Sequence, residues 1–340
     1  MSNEHRPPGL GPHLIGQRVV VRRVLPGETG PSGGPALTDL LGVMESWSAA
    51  VTTVRAGSGV LVTIAINDIV SGKPVPARPS VRHRIMAKEA ELRANATWPA
   101  LETEPLGEWV LRASEGYSAR ANSALAVGDP GVEIDTAVGA VVDFYRGRGL
   151  PTWAQVVVGS EVQLDLESQG WVPARPGEAD TVFQIASVAK ASRSVRSSLP
   201  SVVPEVSMST AVSPQWLAAG NRPVRPSSAA VRVLEGPEEV CFAAVTEAGV
   251  IAKGRVARSR VVAEDWIGLT DIWVSPDHRR QRLALVVIGA LLEWGAERGA
   301  TTAYLQTRGD NASALALYDR LGFLAHHTYR YLTPPLSQGM

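Results

Sequence analysis

The sequence predicts an α+β protein with three regions: a small β-barrel, a mixed α/β region, and a mixed, splayed sheet with flanking helices at the C-terminus. Three observations support this fold class. Residues 17–70 alternate β-branched runs with Gly/Pro-rich turns. The middle follows a β-β-α-β order, and the last region follows β-β-β-α-β-α-β. Because 340 residues exceed one ordinary core, we expect boundaries at 1–80, 81–213 and 214–340.

Short strands are predicted along the first region, from QRVVVRRVL to NDIVS. Between the first two lies PGETGPSGGP, at 26–35, whose glycines and prolines suit neither helix nor strand, so a long exposed loop is expected there. Short strands joined by such a loop are typical of an SH3-like barrel. The repeated prolines of 73–79 then predict a linker.

The middle region alternates strand-like and helical stretches. Its predicted elements are a helix at 81–98, strands at 108–114 and 123–127, a helix at 135–149, a strand at 152–159 and a short helix before 168. Residues 186–213 are rich in serine and poor in aromatic residues. A mobile or edge connection is therefore expected there.

The last region is the most regular. Three strands are predicted with turns at 247–249 and 263–265, and an amphipathic helix follows at 282–300. Gly299 is a plausible C-cap for that helix. Another strand, a helix and a closing strand complete the order. The apolar residues at three- and four-residue steps along the amphipathic helix are Leu283, Val286, Val287, Ala290, Leu291 and Trp294.

The composition excludes several classes of protein. Lys+Arg and Asp+Glu each total 33, so the chain as a whole makes no electrostatic case for binding nucleic acid. The barrel has arginines but no row of aromatic residues for stacking bases. No apolar run is long enough to span a membrane, and the N-terminus resembles no signal peptide. Since the lone Cys241 cannot form an internal disulfide, a cytoplasmic location is expected.

The stretch VSPDHRRQRLA before the amphipathic helix, the later NASALALYDRLGF and the order of elements together resemble the GNAT acetyltransferases. The cofactor signature of that family, Gln/Arg-x-x-Gly-x-Gly/Ala, falls on Arg279, Arg280, Gln281, Arg282, Leu283 and Ala284. The resemblance implies that this turn holds the pyrophosphate of acetyl-CoA. Such a role suits a helix N-terminus, which presents unpaired N–H groups and a partial positive charge. The three arginines would add charge to the turn.

The resemblance also implies that the strand carrying Ile272, Trp273 and Val274 splays from the next strand and pairs with the pantetheine arm. One residue departs from the family pattern: Arg282 stands where the first glycine is usual. Glycine favours close approach of a phosphate to the backbone. A helical conformation would not itself require glycine, so the amides could still face the ligand if the Arg282 side chain swings outward or pairs with a phosphate.

In the family, the asparagine that matches Asn311 contacts the cofactor arm, and the tyrosine that matches Tyr318 protonates the leaving thiolate. A phenol with a pKa near 10 matches a developing thiolate better than a carboxylic acid does. The alternatives are that Asn311 is an N-cap, a role compatible with the first, and that Tyr318 only packs on its helix.

Asp271 is the first candidate for the general base, because it precedes Val274 by three residues on the splayed strand. The alternative is a solvent-facing carboxylate, and members of the superfamily also use a water chain or no dedicated base. His326 and His327 are interpreted as surface or packing residues, since no metal-ligand spacing surrounds them. No metal is expected.

The predicted activity is transfer of acetyl from acetyl-CoA to a primary amine, either an amino acid such as glutamate or a protein lysine, by direct attack in a ternary complex. The alternative, motivated by Arg282, is a coenzyme A-sensing regulatory protein whose SH3-like domain recruits a partner. A homodimer is left open.

The barrel and the middle region resemble an actinobacterial GNAT group with an N-terminal SH3-like domain, whose members are described as N-acetylglutamate synthases or as histone-type acetyltransferases. The middle region is interpreted as a degenerate second copy of the fold. Four of its residues could face the acceptor site across a pseudo-twofold axis, or could serve as core and turn residues: Trp109, Tyr117, Arg120 and Asn122.

Overall fold

The chain divides into two compact units, Met1–Ser80 and Val81–Met340. The residues that the computed structural model describes are 9–30, 33–56, 59–75, 81–220 and 228–335. Among the helices in these ranges, none is both long and apolar enough to cross a membrane.

The first unit is a five-stranded antiparallel sheet. Its strands are β1 (Arg18–Thr29), β2 (Pro35–Trp47), β3 (Val51–Ala56), β4 (Leu61–Ala65) and β5 (Ile69–Pro74). The order β4-β3-β2-β1-β5 leaves β4 and β5 at opposite edges. Among the described residues the sheet therefore does not close into the predicted barrel. Alternate side chains of these strands form the core, as a sheet with one buried face requires: Val19, Val21, Met44, Val54, Ile64 and Ile69.

The long loop expected at 26–35 is shorter than predicted. β1 continues to Thr29, and Pro35, the first residue of β2, pairs with it. The register shifts between Val24 and Thr29, so 26–29 form an irregular end of β1, while residues 31 and 32 of the expected loop lie outside the described residues. Of the expected linker at 73–79, the first two residues end β5 and the last four lie outside the described residues.

The second unit alternates helices and strands. Its helices are α1 (Ala87–Ala96), α2 (Ile134–Arg146), α3 (Glu161–Ser168), α4 (Val188–Arg196), α5 (Pro214–Ala218), α6 (Ser228–Glu235), α7 (Leu283–Glu297) and α8 (Ala312–Arg320). Its strands are β6 (Glu102–Leu106), β7 (Trp109–Ala113), β8 (Ala124–Leu125), β9 (Ala154–Val157), β10 (Val172–Pro173), β11 (Thr181–Ser187), β12 (Ser207–Ser209), β13 (Glu239–Thr246), β14 (Val250–Ser259), β15 (Ala263–Val274), β16 (Thr302–Arg308) and β17 (Leu324–Thr333). The predicted β-β-β-α-β-α-β order of the last region is confirmed as β13 to β17 with α7 and α8.

One sheet runs through this unit in the order β12-β13-β14-β15-β16-β11-β17-β9-β8-β7-β6, with β10 also paired to β17. β11 comes from the middle of the sequence but lies between β16 and β17, where Ile185 is opposite Tyr304 and Leu324. β17 in turn pairs with β9, where Tyr331 is opposite Gln155. Strands from 81–213 and from 214–340, called here the two halves of the unit, therefore alternate in one sheet, and neither half has a complete sheet of its own.

The two halves also repeat one arrangement. β8 and β9 are parallel neighbours joined by α2, and β15 and β16 are parallel neighbours joined by α7. A second helix follows in each half, α3 or α8. Parallel strands need such a crossover connection, which explains the long helical segments between them.

Several expectations for the middle region need correction. The helix expected at 81–98 begins only at Ala87, after a 3₁₀ turn at Val81–His83. The stretch 186–213, expected to be a mobile or edge connection, contains the helix α4 and also β12, which is an edge strand of the sheet. α4 forms despite its serines because Ser187 caps it by accepting from the Lys190 amide, and because its apolar residues lie on one face. The turn expected at 263–265 lies three residues earlier, before β15.

The sheet has two different faces around β15 and β16. On one face α7 packs against Leu269 and Leu305 in a large apolar core. On the other face α1 covers Tyr304 and Phe183. Gly268 is required on this second face, because a Cβ there would lie 2.4 Å from the Tyr304 hydroxyl. The centre of the sheet thus has one apolar face and, on the opposite side, one face of aromatic and polar side chains.

Candidate active site

β15 and β16 separate at the centre of the sheet. Their parallel pairing runs from Trp266 opposite Thr302 to Leu269 opposite Leu305 and then ends. β15 nevertheless continues to Val274, held on its other side by β14. Within the described residues, the edge of β15 beyond Leu269 is therefore unpaired on the side facing β16. An extended ligand segment could pair with this edge as an added strand.

A bulge in β15 marks the point of separation. The register between β14 and β15 shifts near Asp271, which has a positive φ of 53°. The bulge places Ile272 on the α7 face, where it and Val274 pack against the apolar core. Bulges bend a strand and redirect its side chains. Here the bulge coincides with the start of the gap.

The turn between β15 and α7 holds a set of free amides. A 3₁₀ turn at Pro276–His278 precedes it, and Arg280 and Arg282 both adopt positive φ. Among the described residues, the amides of Arg280, Gln281 and Arg282 have no backbone acceptor, and the first amides of α7 have no side-chain cap. Successive unpaired N–H groups at a helix start form an anion-binding concavity.

Arg282 behaves differently from the sequence expectation. It is the N-cap of α7 in a left-handed conformation, φ 63° and ψ 13°, so glycine would be favoured here on conformational grounds as well. Its guanidinium donates to the carbonyl of Ser198 at 3.0 Å, just beyond α4. The side chain has therefore swung away from the turn, as one of the two predicted arrangements requires. Arg279, Arg280 and Gln281 remain exposed.

Asn311 caps α8, as predicted. Its Oδ1 accepts from the Ala314 amide at 3.3 Å. Tyr318 lies on the same helix, is 7% exposed, and meets Phe323 edge to face. Burial raises the pKa of Tyr318 to about 12. The described chain offers its hydroxyl no hydrogen-bond partner, so it is free to donate to a ligand.

Asp271 is exposed at the bulge, yet it lies among enclosed groups of the second face. Burial is the larger cause of the raised pKa of Tyr117, and the charge of Asp271 raises that pKa further. It also opposes the lowering of the pKa of Lys253 and Arg255 that burial causes. Burial nonetheless lowers the pKa of Arg255 to about 10. Both interpretations of Asp271, base and solvent-facing carboxylate, are compatible with this position.

The four middle-region residues divide between the two roles considered for them. Trp109 is a core residue, fully buried. Asn122 stabilises a turn, accepting from the amides of Ser114 and Gly116. Tyr117 stacks on Trp98, and the guanidinium of Arg120 lies over the same indole at 5.3 Å. The last two therefore line the second face of the sheet, near the gap.

His326 and His327 belong to a hydrogen-bonded chain that the sequence did not reveal. His326 contacts the Ile85 carbonyl at 2.9 Å and the His327 ring at 2.7 Å. His327 reaches the enclosed Glu91 on α1 at 2.8 Å. His327, whose side chain is 7% exposed and stacks on Phe183, is a packing residue, one of the two roles expected for it. No cluster of metal-ligating side chains occurs in the described ranges.

Two clefts lie close to α7. One of about 1310 Å³ is lined by residues of α4 and α7, which pack against each other, and it contains none of the residues predicted for catalysis or cofactor binding. A smaller one of about 390 Å³ lies beside Arg282, between the end of α4 and α8, with Ser198 and Leu321 in its wall. The smaller cleft adjoins the turn of free amides.

Parallel strands that separate beside a helix-opening turn, with a capped helix across the gap, define an N-acetyltransferase of the GNAT type. A family model described as the C-terminal part of the probable histone acetyltransferase Rv0428c matches residues 86–332, and the chain belongs to that family. A second model, the Rv0428c N-terminal Sm-like domain, matches residues 13–73. The first unit is therefore Sm-like, and the predicted SH3-like barrel is not confirmed.

Individual relatives agree with this family. The chain is 29% identical over 333 residues to the probable histone acetyltransferase Rv0428c of Mycobacterium tuberculosis, covering 96% of this chain and 97% of that one. It is 27% identical over 249 residues to the uncharacterized N-acetyltransferase YobR of Bacillus subtilis, covering 72% and 97%. A GCN5-related N-acetyltransferase from Kribbella flavida has the same fold, with a TM-score of 0.50, 17% identity, and coverage of 76% and 97%.

Proposed function

We propose that the protein transfers acetyl from acetyl-CoA to a primary amine within a ternary complex. The observation that carries the proposal is the gap between β15 and β16, which opens beside the free amides that begin α7. The unpaired edge of β15 would bind the amide groups of the pantetheine arm, and the turn would bind the pyrophosphate. The proposed contacts are Ile272, Trp273, Val274, Arg279, Arg280, Gln281, Arg282, Leu283, Ala284 and Asn311.

The proposed reaction has one bond formed and one broken. The amine lone pair attacks the thioester carbonyl carbon, a C–N bond forms, and the C–S bond breaks with departure of the coenzyme A thiolate. Asp271, at the bulge, takes the proton that the amine loses, directly or through water. The Tyr318 hydroxyl donates to the leaving sulfur. The products are an N-acetylated amine and coenzyme A, whose thiolate takes up a proton from solvent while Asp271 releases to solvent the proton that it took.

The middle half is proposed to be a degenerate copy that serves the other half. It repeats the strand-helix-strand arrangement, but no Arg-x-x-Gly-x-Gly turn separates β8 from α2. We place the division between the two halves at 213, so that 81–213 supplies structure and 214–340 supplies the cofactor turn. In this proposal only one cofactor molecule binds per chain.

Release of free thiol from acetyl-CoA by the purified chain, with a panel of amines, tests the proposal. Acetyl-CoA binding measured by calorimetry is the second readout. If no amine releases thiol and acetyl-CoA does not bind, the proposed function is wrong.

A further inference from the structure

An enclosed guanidinium lies on the second face of the sheet without a carboxylate partner. Nε of Arg120 is fully enclosed and has no hydrogen-bond partner among the described residues. Its neighbours are the indole of Trp98 and the phenols of Tyr304, Tyr329 and Tyr331. Burial raises the pKa of Tyr304 and Tyr331, so these hydroxyls are neutral at physiological pH. A charge removed from water normally needs a partner of opposite sign.

A second donor without an acceptor lies beside Tyr329, one of the tyrosines that surround Arg120. Gln306 accepts from the Tyr329 hydroxyl through Oε1 at 3.1 Å, while its Nε2 is enclosed and unpaired within the described residues. Gln306 follows Leu305, the last residue of β16 that pairs with β15. This unpaired donor therefore lies where the reaction gap begins, and on the face opposite α7.

Two buried arginines nearby have backbone carbonyl acceptors, whereas Nε of Arg120 has no acceptor in the described chain and its guanidinium is hydrogen-bonded to the neutral Tyr329 hydroxyl. Arg255 donates to Leu234 and Thr97 carbonyls, and Arg112 donates to Ser123. Their charges still repel Arg120 and lower the cost of binding an anion nearby. Arg255 and Arg120 lie over the same indole, and Arg255 also contacts Thr270 on β15, next to Asp271. The positive site and the candidate base are therefore contiguous.

We propose that the acceptor amine carries a carboxylate, and that Arg120 and the Gln306 amide bind this carboxylate beside the gap. The acceptor class is then small amino acids rather than lysine side chains of a protein. This inference rests on the proposed acetyl transfer for its catalytic readout. Charge-assisted hydrogen bonds from a guanidinium to a carboxylate supply the selectivity.

The test compares three acceptors on the full chain: an amino acid, its carboxamide, and a lysine blocked at both its α-amine and its carboxylate. The expected preference in kcat/KM for the amino acid over its carboxamide is about tenfold to a hundredfold. Arg120→Met is expected to erase this preference by raising KM for the amino acid. Arg148→Met is the matched control, because Arg148 also lies over an aromatic ring but pairs with Glu102.

Thermal unfolding gives a second readout that does not depend on catalysis. The amino acid should raise the Tm of the wild-type chain and the carboxamide should not, and Arg120→Met should abolish the difference. Because the variant removes an unpaired charge, its Tm without ligand should equal or exceed that of the wild type. Gln306→Glu, which supplies a carboxylate to Arg120 internally, should raise Tm and weaken amino acid binding.

Three results would overturn the inference: equal use of blocked lysine and amino acid, an unchanged preference in Arg120→Met, or amino acids without effect on the wild-type Tm. Thiol release that shows no carboxylate preference removes this inference alone and leaves the acetyltransferase proposal in place. Failure of every amine to release thiol, together with no binding of acetyl-CoA, removes the acetyltransferase proposal, while the Tm comparison still decides whether Arg120 binds a carboxylate.

Discussion

Burial of Tyr318 determines whether its hydroxyl can protonate a leaving thiolate or can only donate a hydrogen bond to it. Burial raises its pKa to about 12, whereas a free thiol titrates near 8.5, so transfer of the proton to a thiolate is uphill by roughly three units. Donation of a hydrogen bond has no such requirement. The phenol is therefore better suited to stabilise the departing sulfur by hydrogen bonding than to protonate it fully.

Replacing Tyr318 with phenylalanine should lower kcat by about tenfold to a hundredfold, because one hydrogen bond to a charged sulfur is lost. KM for acetyl-CoA should hardly change, since the ring remains. The wild-type kcat should also show no loss from phenol ionisation below about pH 11, because the raised pKa keeps the hydroxyl protonated past the ordinary value of 10. Steady-state kinetics over a pH series measures both, and an unchanged kcat in the variant contradicts the role.

Arg282 combines a strained backbone conformation with a side chain that is bonded to Ser198 and points away from the proposed cofactor turn. Because its φ is 63°, Arg282→Gly should relieve about 1–2 kcal/mol of backbone strain, offset in part by glycine's greater freedom when unfolded. Removal of Cβ should also let a phosphate approach the amides, so the Kd for coenzyme A should fall several-fold. Arg282→Ala is the matched control, since it loses the bond to Ser198 but keeps Cβ and the strain. Equal Kd values for the two variants would show that access is not limiting.

At the scale of elements, β11 completes a sheet that it does not follow in sequence. The sequence predicted the strands, turn and helices of the last region well, because apolar periodicity and the Asn311 cap are local signals. It could not predict that Ile185 pairs with Tyr304. The paired residues are separated by more than a third of the chain. The tyrosines around Arg120 are also distant from it in sequence, so the sequence could not predict that they lie together. α4 was predictable in principle, from Ser187 followed by apolar residues at helical spacing.

Phe183 on β11 provides the corresponding test. It is fully buried, stacked on Tyr304 at 5.0 Å and on His327 at 4.7 Å. Phe183→Ala should cost about 3–5 kcal/mol in the free energy of unfolding and should weaken amide protection in β16 and β17 together. The exposed Met86, replaced by alanine, is the control. Amide protection is measured by hydrogen exchange. If protection were lost only in residues before 213, β11 would not be part of the sheet of the second half.

At the scale of the whole molecule, residues 81–340 form one unit although the proposed halves divide at 213. Without β11, the sheet of the second half would lack the strand between β16 and β17 and would expose two unpaired strand edges. Folding is therefore a property of both proposed halves together, even though the proposed cofactor turn lies in one of them.

A chain trimmed to 214–340 should therefore be insoluble or should bind its own copies, and co-expression with 81–213 should restore a soluble complex. Residues 81–340 should unfold in a single transition and retain thiol release with a small amine. Size-exclusion chromatography and calorimetry measure these outcomes. A soluble monomer of 214–340 with a cooperative unfolding transition would show that β11 is dispensable.

The exchanged strand also has a consequence for the order of events during synthesis. β11 ends at Ser187, but its first partner, β16, begins only at Thr302. At about 5–20 residues per second, the ribosome needs on the order of ten seconds to produce that partner. Throughout this interval an apolar strand with two open edges has left the ribosome without a native neighbour. A nascent chain stalled within α7 should for this reason recruit chaperones more strongly than one stalled after Thr333.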